Sequence, residues 1–175
     1  NTTIYYQLFD SNVNQWTTGK SYKTAPTETT DNFSFLAIGD SRSGMNIWNQ
    51  VSNLAHSKEA DFTVFNGDIV NNGGSVTDWD DWFSNGQQFV ENNLVFHSMG
   101  NHDASSVPTY LNIFELPLSQ PTGGTELYYS FNYGNAVFIS LNSEDPSNDA
   151  QYNWLVNTLQ ANQNKTWKII FFHRP

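Results

Sequence analysis

The stretch FSFLAIGDSRSGMNIWNQVSNLAHSKEADFTVFNGD (33–68) predicts a strand, a helix and a second strand in succession. Its outer parts are apolar runs of strand length, FSFLAIG (33–39) and FTVFNG (62–67), and an aspartate directly follows each run. Between the runs, apolar residues recur at the spacing of one helical face: Ile47, Val51, Leu54 and Ala55. This alternation of strand and helix is typical of α/β folds.

The alternation continues along the rest of the chain. Thr77 is predicted to cap a helix with an apolar face made of Trp79, Trp82, Phe83, Phe89 and Val90. LVFHSMG (94–100) and WKIIFF (167–172) have the composition of strands, and a hairpin is predicted over 127–142 because Gly134-Asn135 provides turn residues. Residues 148–161 are predicted to be helical. From residue 33 onward we therefore expect an α/β fold with a mixed, largely parallel sheet.

Residues 1–31 do not show the alternation of strands and helices that is predicted for the remainder of the chain. They contain two predicted short strands, TTIYYQLF (2–9) and GKSYKTAP (19–26), followed by the polar connector TETTD (27–31). We place a domain boundary after this connector.

Composition limits the possible function. The formal net charge is −10 with seven Lys and Arg in total, which argues against the basic surface that nucleic-acid binding needs. No apolar run approaches the ~18 residues of a membrane span. The chain has no cysteine, so a metal would be held by oxygen and imidazole ligands. The acidic composition, rich in Asn, Ser and Thr, favours a secreted or periplasmic protein.

Polar side chains follow four of the predicted strands. They are Asp40, Asp68, the run Asn101-His102-Asp103, and His173. Taken singly, an aspartate after glycine is also typical of a turn or a helix cap, and a lone histidine is more often structural. Because ligands bind at the carboxyl ends of the strands in α/β sheets, the set as a whole predicts one functional site.

The motifs GDSRSG (39–44), GDIVNNG (67–73), GNHD (100–103) and FFHRP (171–175) resemble those of the calcineurin-like metallophosphoesterases, in the purple-acid-phosphatase-like branch. The resemblance covers residues 33–175 and implies a four-layer αββα sandwich around two metal ions, here incomplete at its C-terminus. The first residues resemble the last two strands of a fibronectin-III-like sandwich. The implied organisation is a domain remnant with its linker at 1–31 and the N-terminal portion of the catalytic domain at 32–175.

The resemblance also implies roles for individual residues. Asp40 would bind the first metal, Asp68 would bridge both, and Asn101 and His173 would bind the second. His102 would stabilise the transition state or protonate the leaving alkoxide, with Asp103 orienting it. The cofactors implied are two divalent or trivalent ions (Fe, Mn or Zn), which activate water for attack on a small phosphate ester.

Three features depart from the family pattern. Arg42 stands where many members have a metal-binding histidine, and it is interpreted either as a phosphate clamp or as a partner in a salt bridge. Asn71 replaces the tyrosine that colours purple acid phosphatases and is at best a weak ligand. The downstream Gly-His-x-His motif has no counterpart among the four histidines, so we expect thin metal shells and an exposed sheet edge prone to self-association.

The leading hypothesis is therefore a dinuclear metal-dependent phosphomonoesterase or phosphodiesterase, of which this chain is an incomplete, weakly active or inactive portion. The alternative is a non-catalytic binding or interaction module on a degenerate phosphoesterase fold. A third hypothesis is that a second chain contributes the missing segment.

Overall fold

Among the described residues, the N-terminal segment forms four short strands rather than the two predicted. The computed structural model describes residues 2–26, 32–118 and 123–175. The four strands are β1 (Thr3–Tyr6), β2 (Phe9–Asp10), β3 (Gln15–Trp16) and β4 (Lys20–Lys23). β1 pairs antiparallel with β4, and β2 pairs antiparallel with β3. The first predicted strand is interrupted at Gln7 and Leu8. The side-chain Nε2 of Gln7 donates to the Thr17 carbonyl at 3.0 Å, and Leu8 N donates to Thr17 Oγ1 at 3.0 Å. Such hydrogen bonds to side chains compete with the backbone hydrogen bonds of a β-ladder.

This ribbon of short strands contacts the main body at Glu91. The Tyr6 hydroxyl donates to the Glu91 carbonyl oxygen at 3.0 Å, and Lys20 Nζ lies 2.8 Å from Glu91 Oε2. The hydrogen bond from Lys20 lowers the pKa of Glu91, and one from Gln87 adds to the effect. The predicted connector 27–31 lies outside the described residues, and the fibronectin-like origin of the ribbon stays a prediction.

The next part of the chain builds a parallel sheet with helices on one side. Its elements are β5 (Phe35–Ile38), α1 (Met45–His56), β6 (Phe62–Asn66), α2 (Val76–Asn85), α3 (Gln87–Val90) and β7 (Val95–Ser98). The strand order is β5-β6-β7, and both pairs are parallel. The central strand β6 is buried from Phe62 to Phe65, as its continuous apolar sequence requires in a parallel sheet.

The helix α1 is confirmed, but its predicted apolar face is correct only at Ala55. Ile47, Val51 and Leu54 are exposed, whereas Trp48, Ser52 and Ala55 are buried. The helix is rotated about its axis relative to the prediction, because the Trp48 ring packs on Phe65 and stacks on Trp82 at a centroid distance of 5.2 Å. A large aromatic ring that fills the space between helix and sheet outweighs several smaller aliphatic contacts.

The single helix predicted after Thr77 is also wrong, because two helices occupy this region. Ser75 caps α2, since its Oγ accepts a hydrogen bond from Asp78 N at 3.2 Å. The helix is interrupted at Gly86, where a Cβ would lie 2.8 Å from the Trp48 ring. Only glycine lets the indole approach the backbone this closely, and the helical run resumes as α3.

A second sheet follows in the C-terminal half. A 3₁₀ turn over Asp103–Ser106 leads into α4 (Val107–Ile113), and the later elements are β8 (Tyr129–Tyr133), β9 (Ala136–Ser140), α5 (Asp149–Ala161) and β10 (Trp167–Phe171). The strand order is β10-β9-β8, with β9–β10 parallel and β8–β9 antiparallel. The strands predicted to share one mixed sheet are therefore divided between two, and α/β character is confirmed. No helix within the described ranges has the length and apolarity to cross a membrane.

The two sheets pack face to face through aromatic rings. Phe62 lies 4.9 Å from Phe138 and 5.6 Å from Phe131 between ring centroids. Residues alternate along β9, because Phe138 joins this core while Val137 and Ile139 pack on Trp154 of α5. The described layers thus run helix, sheet, sheet, helix, as the resemblance implied.

Candidate metal centre

The polar residues predicted at the strand ends converge on one place. Asp40 follows β5, Asp68 follows β6, and His173 follows β10 of the other sheet. One potential ligand atom from each of these three residues lies within 4.8 Å of the other two. The site therefore sits where the carboxyl ends of both sheets meet, which is the position that strand-end reasoning predicts for a ligand.

Tight backbone turns bring the two aspartates together. Asp40 and Asp68 both have positive φ, 55° and 51°, a conformation that Asp tolerates better than most residues. Asp40 N donates to the Gly67 carbonyl at 3.0 Å, so the two loops are bonded to each other. At Gly100 a Cβ would lie 2.1 Å from Asp68 N, and this close approach explains the glycine that opens the GNHD motif.

His173 is fixed with one ring nitrogen facing two oxygen atoms. Its Nδ1 lies 2.8 Å from the carbonyl oxygen of Asn66, and because a carbonyl only accepts, Nδ1 carries the hydrogen. Its Nε2 lies 3.3 Å from Asp68 Oδ1 and 3.2 Å from Asn101 Oδ1. In a neutral ring Nε2 presents a lone pair to these oxygens, so an added cation would satisfy all three atoms.

These separations fit a divalent metal ion. Ligand atoms held ~2.1 Å from one ion lie about 3.0–3.4 Å from each other in common coordination geometries. Asp68 is 1% exposed, so a bound ion would also compensate a buried carboxylate. Asp68, Asn101 and His173 therefore form a donor set suited to a metal.

The side of the site near Asp40 holds the guanidinium of Arg42. Arg42 Nε lies 2.7 Å from Asp68 Oδ2 and 3.7 Å from Asp40 Oδ1. Arg42 Nη1 also contacts Nε2 of His102. Of the two interpretations of Arg42, the salt bridge describes these contacts, and the phosphate clamp stays a prediction.

His102 is oriented by a backbone carbonyl and not by Asp103. Its Nδ1 lies 2.6 Å from the Asn71 carbonyl oxygen, which assigns the hydrogen to Nδ1 and leaves Nε2 facing Arg42 and the site. The backbone N of His102 donates to Asp68 Oδ1 at 3.0 Å. The prediction that Asp103 orients the His102 ring is therefore corrected: the Asn71 carbonyl occupies that position.

Asp103 instead ties the loops together from below. Its carboxylate is fully buried and accepts hydrogen bonds from the backbone N atoms of Ile69 at 2.9 Å, Val70 at 3.2 Å and Gly100 at 2.9 Å. Burial raises the pKa of Asp103 to about 6, and the negative charge of Asp68 acts in the same direction, against the lowering effect of the three donors. Asp103 thus holds the loops after β6 and β7 in register.

Asn71 contributes its backbone more clearly than its side chain. The side-chain Oδ1 accepts a hydrogen bond from Ser43 Oγ at 3.1 Å, and metal ligation by this group stays a prediction. The two positioning carbonyls, of Asn66 and Asn71, escaped sequence reasoning. Every residue carries a carbonyl group, so no sequence signal marks the ones that orient a histidine.

The remaining two histidines lie outside the site. His97 is buried within β7, and His56 ends α1, where its Nδ1 lies 3.2 Å from Asn93 Nδ2.

Comparison with known proteins adds a family to this geometry. Residues 33–175 match the family described as calcineurin-like phosphoesterase. A probable purple acid phosphatase 20 from Arabidopsis thaliana is 27% identical over 190 residues, covering 100% of this chain and 42% of the relative. A phosphoenolpyruvate phosphatase from Allium cepa is 28% identical over 169 residues, covering 82% of this chain and 33% of the relative.

Solved structures give the same fold. A purple acid phosphatase from yellow lupin (Lupinus luteus) seeds superposes with a TM-score of 0.76 at 15% identity, covering 98% of this chain and 36% of that protein. PhoD superposes with a TM-score of 0.72 at 15% identity, covering 97% of this chain and 47% of that protein. This chain thus spans less than half the length of each of these relatives.

Proposed function

Because the chain belongs to the calcineurin-like phosphoesterase family, in its purple-acid-phosphatase-like branch, we propose that it hydrolyses small phosphate esters in a metal-dependent reaction. The observation that carries this proposal is the convergence of His173 Nε2 on Asp68 Oδ1 and Asn101 Oδ1 at 3.2–3.3 Å. The fold of the family implies a dinuclear metal centre. When bound, the metal supplies Lewis-acid activation of water and neutralises charge on the phosphoryl oxygens.

The residues around this centre have separate tasks in the proposed reaction. Asp68, Asn101 and His173 hold the metal, and the Asn66 carbonyl keeps the His173 ring in the tautomer that ligation needs. The neutral donors Asn101 and His173 limit the negative charge of the site, which allows an anionic ester to approach. This matters in a chain whose formal net charge is −10.

His102 is the group placed to move a proton. Its Nδ1 is committed to the Asn71 carbonyl, so Nε2 is the nitrogen that would exchange protons with a substrate, once it leaves its contact with Arg42 Nη1. We assign Nε2, when it carries a proton of its own, to stabilising the transition state or to protonating the leaving alkoxide oxygen. The Asn71 contact fixes the ring for this purpose without adding a charge.

The proposal is tested by hydrolysis of an aryl phosphate in the presence of Mn(II) or Zn(II). We expect metal-dependent turnover that disappears in Asp68→Asn, because this substitution removes the shared anionic ligand. Asp80→Asn is the matched control, since Asp80 is an exposed aspartate on α2. Rates are read against chelator-treated protein, so that weak turnover is still measured. Turnover equal in Asp68→Asn and the unchanged chain would contradict the proposal.

A non-catalytic binding module is the second candidate function. The ion pairs of Arg42 with Asp40 and Asp68 favour it, because they place a cation beside both carboxylates without a metal. Calorimetric titration with Mn(II) separates the two candidates. Metal binding that depends on Asp68 favours the enzyme, and no binding favours the module.

Preference for monoesters or diesters, location outside the cytoplasm and contribution of a segment by a second chain stay predictions.

A further inference from the structure

The two sides of the metal centre are unequal. On one side, His173 and Asn101 offer neutral donor atoms to Asp68. On the other side, the space between Asp68 Oδ2 and Asp40 Oδ1 is faced by the Arg42 guanidinium, with Nε at 2.7 Å and 3.7 Å from these atoms. One side therefore presents ligands, and the other already contains a cation.

We propose that the Arg42 guanidinium takes the place of one of the two metal ions of the family's centre. This chain would then bind a single divalent ion at Asp68, Asn101 and His173. The inference rests on the proposed function, because it concerns the metal content of the same site.

The donor atoms support this assignment. Arginine has no lone pair to offer and stays protonated in proteins, so it repels a metal ion and does not bind one. The carboxylates that the Arg42 guanidinium contacts here are those of Asp40 and Asp68, and Asp68 is shared with the other side. Asp40 has a 65% exposed side chain, so solvent competes for it as well. A second metal ion would have to displace the Arg42 guanidinium from the two carboxylates, and it would gain few ligands in return.

Arg42 is also held firmly in this position. Its backbone N donates to the Asp68 carbonyl at 3.2 Å, which anchors the residue to the loop after β6. Its guanidinium contacts three acceptors, on Asp40, Asp68 and His102. A planar guanidinium loses less conformational entropy for each hydrogen bond it forms than a flexible ammonium group does.

The contact with His102 gives the arrangement a functional meaning. In a dinuclear centre, the cation on this side would be a metal ion that neutralises the phosphoryl oxygens. Arg42 carries the same sign of charge, and its planar N–H groups suit a phosphate. The geometry therefore points to a centre in which one metal ion and one arginine share the work of charge neutralisation.

The test is the number of metal ions bound per chain. The unchanged protein, Arg42→Lys and Arg42→His are dialysed against Mn(II) and analysed for metal content, and Mn(II) electron paramagnetic resonance distinguishes isolated ions from spin-coupled pairs. We expect one isolated ion in the unchanged protein and in Arg42→Lys, which keeps the charge. We expect a second, coupled ion in Arg42→His, with an affinity for that ion raised by at least about tenfold, because imidazole replaces a cation by a ligand.

Thermal unfolding in the presence and absence of Mn(II) verifies that each variant is folded and binds metal. Two ions in the unchanged protein would overturn the inference while leaving the proposed function intact. One ion in folded Arg42→His would also overturn it, since Arg42 would then not be the group that excludes the second ion. No bound Mn(II) in any of the three proteins would contradict the metal site of the proposed function itself.

Discussion

His97 and His102 lie on either side of the end of β7 and have opposite surroundings. His97 is 4% exposed, and neither ring nitrogen has a hydrogen-bond partner within the part of the chain that the structure describes. Its ring packs on Phe114 at a centroid distance of 4.1 Å. His102, in the following loop, has both nitrogens engaged, by Asn71 and Arg42. The strand interior keeps a histidine inert, whereas the loop fixes one for proton transfer.

The same contrast separates stability from function in this molecule. Aromatic rings between and behind the sheets bury apolar surface, and the loops at the strand ends carry positive φ angles at Asp40, Ser43 and Asp68. Strain of this kind persists only where the surroundings hold it in place. The packed core therefore stabilises the loops that form the site.

The largest effect is expected in the core. Phe62 is fully buried and contacts Phe138 and Tyr133 of the second sheet, so Phe62→Ala should lower the free energy of unfolding by about 3–5 kcal/mol. Urea denaturation measures this change, and Phe9→Ala in exposed β2 is the control, with an expected change within about 0.5 kcal/mol. Equal losses in the two variants would show that the sheet interface does not carry the stability.

The loop side of the comparison is tested at His102. His102→Gln should lower kcat for an aryl phosphate by about 100-fold, because a proton-transfer group is lost. The free energy of unfolding should change by less than about 1 kcal/mol, since the ring is held by polar contacts at the edge of the site. His56→Gln is the matched control at the end of α1 and should leave kcat unchanged. A loss of stability without a loss of turnover in His102→Gln would contradict the contrast.

The strand side is tested by pH at His97. Burial lowers the pKa of His97 from its ordinary 6.5 to about 3, so the unfolded chain takes up a proton first as the pH falls. The contribution of His97 to the free energy of unfolding is therefore complete above pH 6.5 and declines below it. At pH 5 the free energy of unfolding is lower by ~2 kcal/mol. His97→Phe should remove this loss, so that the variant gains stability relative to the unchanged protein between pH 7 and pH 5. Denaturant unfolding at both values measures the gain, and parallel behaviour of the two proteins would refute it.

Asp103 acts in the opposite direction and explains why the comparison must be made against the unchanged protein. Its pKa is raised to about 6, so the folded state takes up this proton first and gains stability as the pH falls. The two buried groups partly cancel in the unchanged protein. Only the difference between His97→Phe and the unchanged protein isolates the histidine.

The strand ends were predictable from sequence because each signal is local. Asp40, Asp68 and His173 each follow an apolar run. The rule that parallel strands share a carboxyl edge brings Asp40 and Asp68 together. His173 follows a strand of the second sheet, so its approach also depends on the packing of the two sheets. The α/β class and the hairpin at Gly134 followed from similar local patterns. Prediction succeeded where a short stretch of chain contains the whole physical cause.

The errors arose where the cause lies elsewhere in the chain. The inward face of α1 is set by Trp48 meeting Phe65 and Trp82, and the break at Gly86 is set by the same indole. The partner of His102 is a carbonyl on a different loop, whereas the adjacent Asp103 bonds backbone N atoms of the loop after β6. Periodicity and adjacency in sequence contain no record of these contacts.

The smallest effect on stability is expected at the edge of the second sheet. Among the described residues, β10 pairs only with β9, and Ile170 on its surface is 41% exposed. An unpaired edge with an apolar side chain favours pairing between chains, and a charge on that edge opposes it. Ile170→Lys should therefore abolish concentration-dependent self-association in sedimentation velocity, while the free energy of unfolding changes by less than about 0.5 kcal/mol. Tyr152→Lys adds the same charge to exposed α5 and should leave association unchanged. Association that persists in Ile170→Lys would place the contact elsewhere and leave the edge strand without this role.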